Sequence, residues 1–198
     1  MSARALGRVA IAAAVVPLAA LTVAGCGSDG ASTTAAADEP ALQAMPVAEA
    51  LQKMRAIPLM TTLDGKVPPG RPTLVASSVK VLEAPHAGGI ARAFREVRLA
   101  GTRSPIHVHP YGGWTCIVKG QATLYVQGRK PVTHRTGGCV NMPALIPMVN
   151  SNEGSTPTIL IDNFIEPPGV PEWRIVEKGL TRLGDEFGES DHSNMLHP

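Results

Sequence analysis

The sequence predicts an all-β barrel or sandwich. Between Thr73 and about Glu166 the chain breaks into short β-branched runs, among them TLVASSVKVLEAP, ARAFREVRLAG, WTCIVKG, ATLYVQG and TPTILIDNFIEPPG. Turn signals separate them at short intervals, as in sandwiches and barrels, and 20 Gly with 18 Pro suffice to make those turns. There is no P-loop, no G-x-S-x-G elbow, no dinucleotide fingerprint and no internal repeat, so the common nucleotide and hydrolase frameworks are excluded.

In chain order, residues 1–25 come first. Arg4 and Arg8 precede an apolar run from Val9 to about Ala24, the charge-then-hydrophobe order of a secretory signal. The run ends in Val23-Ala24-Gly25-Cys26, which resembles the bacterial lipobox and implies a lipid on Cys26 and a chain held on the cell membrane, facing outside the cytoplasm. A plain cleaved signal or an uncleaved anchor is the alternative. Residues 26–45, opening with GSDGASTTAAADEP after the cysteine, are small and polar and read as a flexible tether reaching on the order of 20 Å. Residues 46–72 contain VAEALQKM, where Val47, Leu51 and Met54 fall at helical spacing behind Pro46; one short helix is expected, packed on the domain or extending the stalk. The barrel follows over 73–170. The extension 171–198 holds one modest apolar patch and a polar end in which His192 and His197 are expected in solvent.

Composition restricts the partners. Loss of residues 1–25 takes away two arginines and no acids, so Lys plus Arg drops from 18 to 16 against 16 Asp plus Glu. A chain of zero formal charge has no electrostatic footprint for nucleic acid. Cys116 and Cys139 remain in a compartment where a disulfide can persist, and spacing leaves a bridge and two buried thiols equally open.

The chemistry concentrates in GTRSPIHVHPYGGWTCIVKG, residues 101–120. Residues two apart on a strand share a face, so His107 and His109 project together; continued through the turn, the same parity adds Tyr111, Gly113, Thr115 and Ile117 and turns Trp114, Cys116 and Val118 outward. Arg103, close by, is a candidate for meeting an anionic ligand, although a lone arginine at a strand end is more commonly solvated. Trp114 is expected to be buried, between sheets or at a subunit contact.

The longer pattern resembles the cupin superfamily. Gly101, His107, His109 and Gly120 stand at the places of its first motif, with Gly113 where the family has a metal-binding glutamate. Gly137, Pro143 and Asn152 match the second motif, where Leu145 replaces the inner glycine and Met148 the last histidine. The resemblance covers about Arg92 to Gly169. It implies a small jelly-roll barrel, often dimeric, whose relatives bind first-row metals through three histidines and the glutamate. Only two of those four donors are kept here. A His107, His109 and Met148 set would suit copper among the first-row transition metals, whereas a purely apolar role for Met148 leaves no intrinsic metal. The pocket expected from these residues is His107, His109, Tyr111, Gly113, Thr115 and Met148, with room opened at Gly113 for a small-molecule ligand. Three functions follow as expectations: a small-molecule-binding lipoprotein, a metal-dependent oxidoreductase or dioxygenase, and a non-catalytic interaction module.

Overall fold

A computed structural model describes residues 45–181. The expected signal, the Cys26 lipid site, most of the tether, and His192 and His197 lie outside the described residues. Among the described residues, twelve strands form two sheets. One is a five-stranded sheet in the order β2 (Ser77–His86), β3 (Gly89–Arg98), β11 (Thr158–Glu166), β6 (Gly113–Lys119) and β9 (Cys139–Met142). The other joins β1 (Arg71–Pro72), β4 (Thr102–Arg103), β10 (Met148–Asn152), β5 (His107–Val108) and β12 (Arg174–Ile175), with β7 (Gln121–Val126) paired to β10 and to β8 (Val132–Arg135).

The two sheets face each other, as the jelly-roll expectation requires. Inward residues of both, namely Phe94, Phe164, Leu124, Val126, Met142 and Met148, make one apolar cluster between them. Alternation decides which side chains enter it: on β10, Met148 faces in and Val149 faces out. The outward set, Ile106, Val108, Val149 and Val176, is covered by Met54 of helix α1 (Val47–Ala56). Thus the helix packs on the barrel, with Ala50 and Met54 fully turned inward. Its ends suit the helix dipole, with Glu49 in the first turn and Lys53 and Arg55 in the last.

The second-motif turn is fastened to the first-motif strand. His109 and Ala144 form a bridge, and the Leu145 N–H donates to the His109 carbonyl at 2.8 Å. Leu145 takes φ 57°, the left-handed region that favours glycine, which is the residue the family pattern places there. Asn152 is completely buried, donating through its amide to the Arg98 and Thr156 carbonyls and accepting from the Gly154 N–H. It is a structural clasp.

Cys116 and Cys139 are directly opposite on β6 and β9 and are joined as a disulfide on the outer face. The outward parity expected for Trp114, Cys116 and Val118 holds. Of the two places expected for Trp114, the one between sheets is not taken: the residue is 36% exposed, because none of the described elements covers the outside of the five-stranded sheet there.

Candidate functional site

Between the sheets lies a cavity with about 50 Å³ for the centres of water-sized atoms. At the ~10–15 Å³ that one water requires, this is space for a few waters or a ligand of few heavy atoms. His107 and His109 line it. His107 is placed by β5, held between Met148 on β10 and Ile175 on β12.

Each imidazole is fixed by its Nδ1–H, which donates to a carbonyl: His107 to Pro105 at 2.8 Å, and His109 to Glu172 at 2.6 Å. Because a carbonyl can only accept, both rings are Nδ1-protonated when neutral, and both Nε2 atoms present lone pairs. Those two acceptors face each other at 3.1 Å. Burial pushes His107 well below its ordinary value, helped by His109 and Arg98 and opposed by the Pro105 carbonyl. Burial also brings His109 down to about 4, against the Glu172 carbonyl. Neutral rings with converging lone pairs call for a hydrogen-bond donor between or before them. Trp173 lies edge-on to His107 at 5.1 Å, and Phe164 lies 5.1 Å from His109, so the pair sits in an aromatic collar.

The other sequence-predicted site residues are placed differently. Tyr111 is buried with Ala50 and Val170 under the helix, its hydroxyl donating to the Met45 carbonyl at 3.0 Å, and does not line the cavity. Gly113 opens no room: a Cβ there would lie 2.6 Å from the Asn163 carbonyl and 2.7 Å from the Phe164 ring, so Phe164 fills the space a longer side chain would need. Thr115 faces inward, 1% exposed, under Asp162. Met148 is completely buried in the apolar cluster and is absent from the cavity wall, where Met142 stands instead. Arg103 is not solvated and does not itself line the cavity. It is 2% exposed and holds Glu177 through two hydrogen bonds of 2.6 and 2.7 Å, while Glu177 also accepts from the Ile106 N–H.

The rest of the wall was not singled out from sequence. β3 sends Phe94, Glu96 and Arg98 inward, β11 sends Asp162 and Phe164, β10 sends Asn150, and the segment before β12 adds Glu172 and Trp173. Burial and the neighbouring Asp162 push Glu96 up to about 8, opposed by Arg98 and the Ser78 hydroxyl. Burial lifts Asp162 to about 6; Thr115, Arg98 and Glu96 favour its ionised form, although the Thr115 hydroxyl makes no hydrogen bond of good geometry. The signal was available. In F-R-E-V-R and L-I-D-N-F, polar residues occupy the parity that the flanking apolar residues assign to the interior.

The metal expectation can be tested against these positions. Two nitrogens about 2.1 Å from one ion would stand roughly 3 Å apart at a near-right angle, which matches the histidine pair, and their carbonyl-anchored Nδ1–H groups are what ligating imidazoles show. The donor set ends there. Among the described residues no group of three or more His, Cys, Asp or Glu comes together to hold an ion, the glutamate position is a glycine under a phenyl ring, and Met148 belongs to the apolar cluster. The residues present do not fit the four-donor centre, and the copper set is not assembled.

Two facing sheets, with the second-motif turn bridged to the first-motif strand, give the described residues the jelly-roll fold of a double-stranded β-helix. No family model matches the chain, and no curated protein matches it. Solved structures similar to it include an uncharacterised conserved protein with a double-stranded β-helix domain from Klebsiella pneumoniae, 20% identical with a TM-score of 0.42 over 55% of this chain and 91% of that one. The DMSP lyase DddQ from Ruegeria pomeroyi is 16% identical with a TM-score of 0.43, over 53% and 52%. Bacillus subtilis oxalate decarboxylase, a protein with Mn(II) centres, is 16% identical with a TM-score of 0.37 over 40% of this chain and 22% of its own. The chain therefore spans about a fifth of the decarboxylase and about half of the lyase.

Proposed function

We propose that this chain is a small-molecule-binding protein held on the outer face of the cell membrane by a lipid on Cys26, its ligand lodging between the two sheets at His107 and His109. The observation that supports the binding role is the convergence of two neutral Nε2 acceptors at 3.1 Å on a cavity walled by Phe94, Phe164 and Trp173. Apolar walls with a few convergent polar groups are how small-ligand sites are built. A ligand hydroxyl or amide hydrogen would satisfy lone pairs that otherwise oppose each other. The lipid anchor is supported by the lipobox-like Val23-Ala24-Gly25-Cys26 alone.

We also propose a homodimer through the outside of the five-stranded sheet, where Val79, Leu82, Trp114 and Val118 are each more than a third exposed. Light scattering that returns a monomer at every concentration would remove that proposal.

The test of the binding role is a metabolite screen by thermal unfolding on the full-length protein in detergent, with His107→Ala as control, alongside elemental analysis after loading with iron, manganese, copper, nickel or zinc. Ligands that raise the unfolding temperature of the wild type and not of H107A are expected. Stoichiometric metal lost in H107A would instead establish the metalloprotein reading.

A further inference from the structure

The cavity has a second pole, which the histidine pair does not use. Arg98 is 5% exposed, lines the cavity, and leaves its Nε and Nη1 hydrogens without a hydrogen-bond partner. Asn150, 7% exposed on the facing sheet, leaves its Oδ1 unpartnered, and so does Asp162. A buried guanidinium with two unspent donors is rare, since burying such groups unmatched is costly. Both poles open on the same space, and the aromatic rings of Phe94, Phe164 and Trp173 occupy the wall around them.

The charge on this wall selects among ligands. Arg98 shares its stretch of wall with the carboxyl groups of Glu96 and Asp162, so an anion placed on its free donors would also lie beside those acids. At the other pole, the carbonyl-anchored Nδ1–H groups of His107 and His109 leave both Nε2 atoms as acceptors that call for a donor. An anion would bring a further negative charge beside those carboxyls, and an ammonium would meet Arg98. Donors and acceptors without net charge match both poles, and the size of the cavity limits the ligand to a few heavy atoms.

Resting on the binding role proposed above, we infer that Arg98 and Asn150 form a subsite for the carbonyl end of a small uncharged ligand whose hydroxyl or amide hydrogens reach the His107–His109 pair. The class is that of short hydroxyl-bearing carbonyl compounds. The carbonyl oxygen accepts from Arg98, an amide or hydroxyl hydrogen is taken by the Asn150 Oδ1, and the far hydroxyl donates to a histidine Nε2.

Glycolamide and glycolate, nearly equal in shape and different in charge, test this by NMR titration of the full-length protein in detergent micelles. The signals followed are the Arg98 side-chain Nε–H and the imidazole nitrogens of His107 and His109. Glycolamide is expected to move both sets in parallel with one dissociation constant, and glycolate to bind roughly tenfold more weakly or worse, the equivalent of about 1.4 kcal/mol. Arg98→Lys keeps the charge and loses the fork; its glycolamide affinity is expected to drop roughly tenfold while the histidine signals of the free protein stay in place. If that variant fails to fold, the wild-type pair of titrations decides alone. Movement at the histidines with a silent Arg98 would overturn the subsite and leave the binding role standing. Tighter binding of glycolate would overturn the uncharged class. Silence at both poles at saturating excess would overturn the subsite together with the histidine site it extends.

Discussion

Glu166 has no exposed surface, and neither of its oxygens has a hydrogen-bond partner. Arg92 stands 3.8 Å away but is engaged more closely by Glu172 at 3.2 Å, so the ion pair does little for Glu166. Burial, reinforced by Glu172 and opposed by Arg92, lifts its carboxyl to about 9 from 4.5. A folded-state value above the unfolded one means that the group's contribution to stability is complete below pH 4.5 and is lost as pH rises towards 9. Glu166→Gln keeps the shape of the neutral acid without that loss. Its unfolding free energy should match the wild type near pH 4.5 and exceed it by about 3 kcal/mol at pH 7, read from urea unfolding at several pH values; a difference that does not grow with pH would show that Glu166 is ionised in the fold. The histidines give the opposite sign. His109, lowered to about 4, contributes stability above 6.5 that is lost as pH falls towards 4. Imidazole nitrogen spectra at pH 6 should therefore show both rings neutral with the proton on Nδ1, and a doubly protonated ring at that pH would contradict the carbonyl anchoring described here.

At the scale of elements, the strand parity, the turns and the helix were legible because they depend on local alternation and on φ preferences. Gly101 and Gly120, for instance, take positive φ where the motif places glycine. What alternation could not reveal was the fate of the vacated ligand positions, because that depends on Phe164, which comes from a strand some fifty residues later. Restoring the family's acid by Gly113→Glu should accordingly not create a metal centre. The Asn163 backbone and the Phe164 ring stand where its Cβ would go, so a loss of about 1–3 kcal/mol in stability is expected, with no metal retained after loading. The role of the segment after Val170 was also invisible. Read as an extension, it supplies β12, Trp173 and Glu172, and the long-range Arg103–Glu177 pair fastens it. Breaking such a buried pair from one side leaves an uncompensated charge, so Glu177→Ala should cost about 3–5 kcal/mol. Hydrogen exchange should rise first at residues 172–177, and the loss of Trp173 from the cavity wall should loosen His107. Unchanged exchange there would mean that β12 is held by its ladder alone.

For the whole molecule, the disulfide and the proposed lipid anchor lead to separable outcomes. The Cys116–Cys139 bridge spans 23 residues between neighbouring strands and survives only where thiols are not kept reduced. Loop closure of that length contributes roughly 3 kcal/mol, so the double Ser variant should melt on the order of 10 °C lower. If export depends on residues 1–25 and anchoring on Cys26, then Cys26→Ser should release the protein from the membrane fraction while the bridge still forms, because oxidation follows the compartment and not the lipid. Deleting residues 1–25 should leave the chain in the cytoplasm with Cys116 and Cys139 reactive to maleimide. The two variants thus move fraction and thiol count independently. A Cys26→Ser protein still sedimenting with membranes would remove the lipid anchor from the proposal, and a bridge formed equally in the deleted chain would remove the export step from the account of the disulfide.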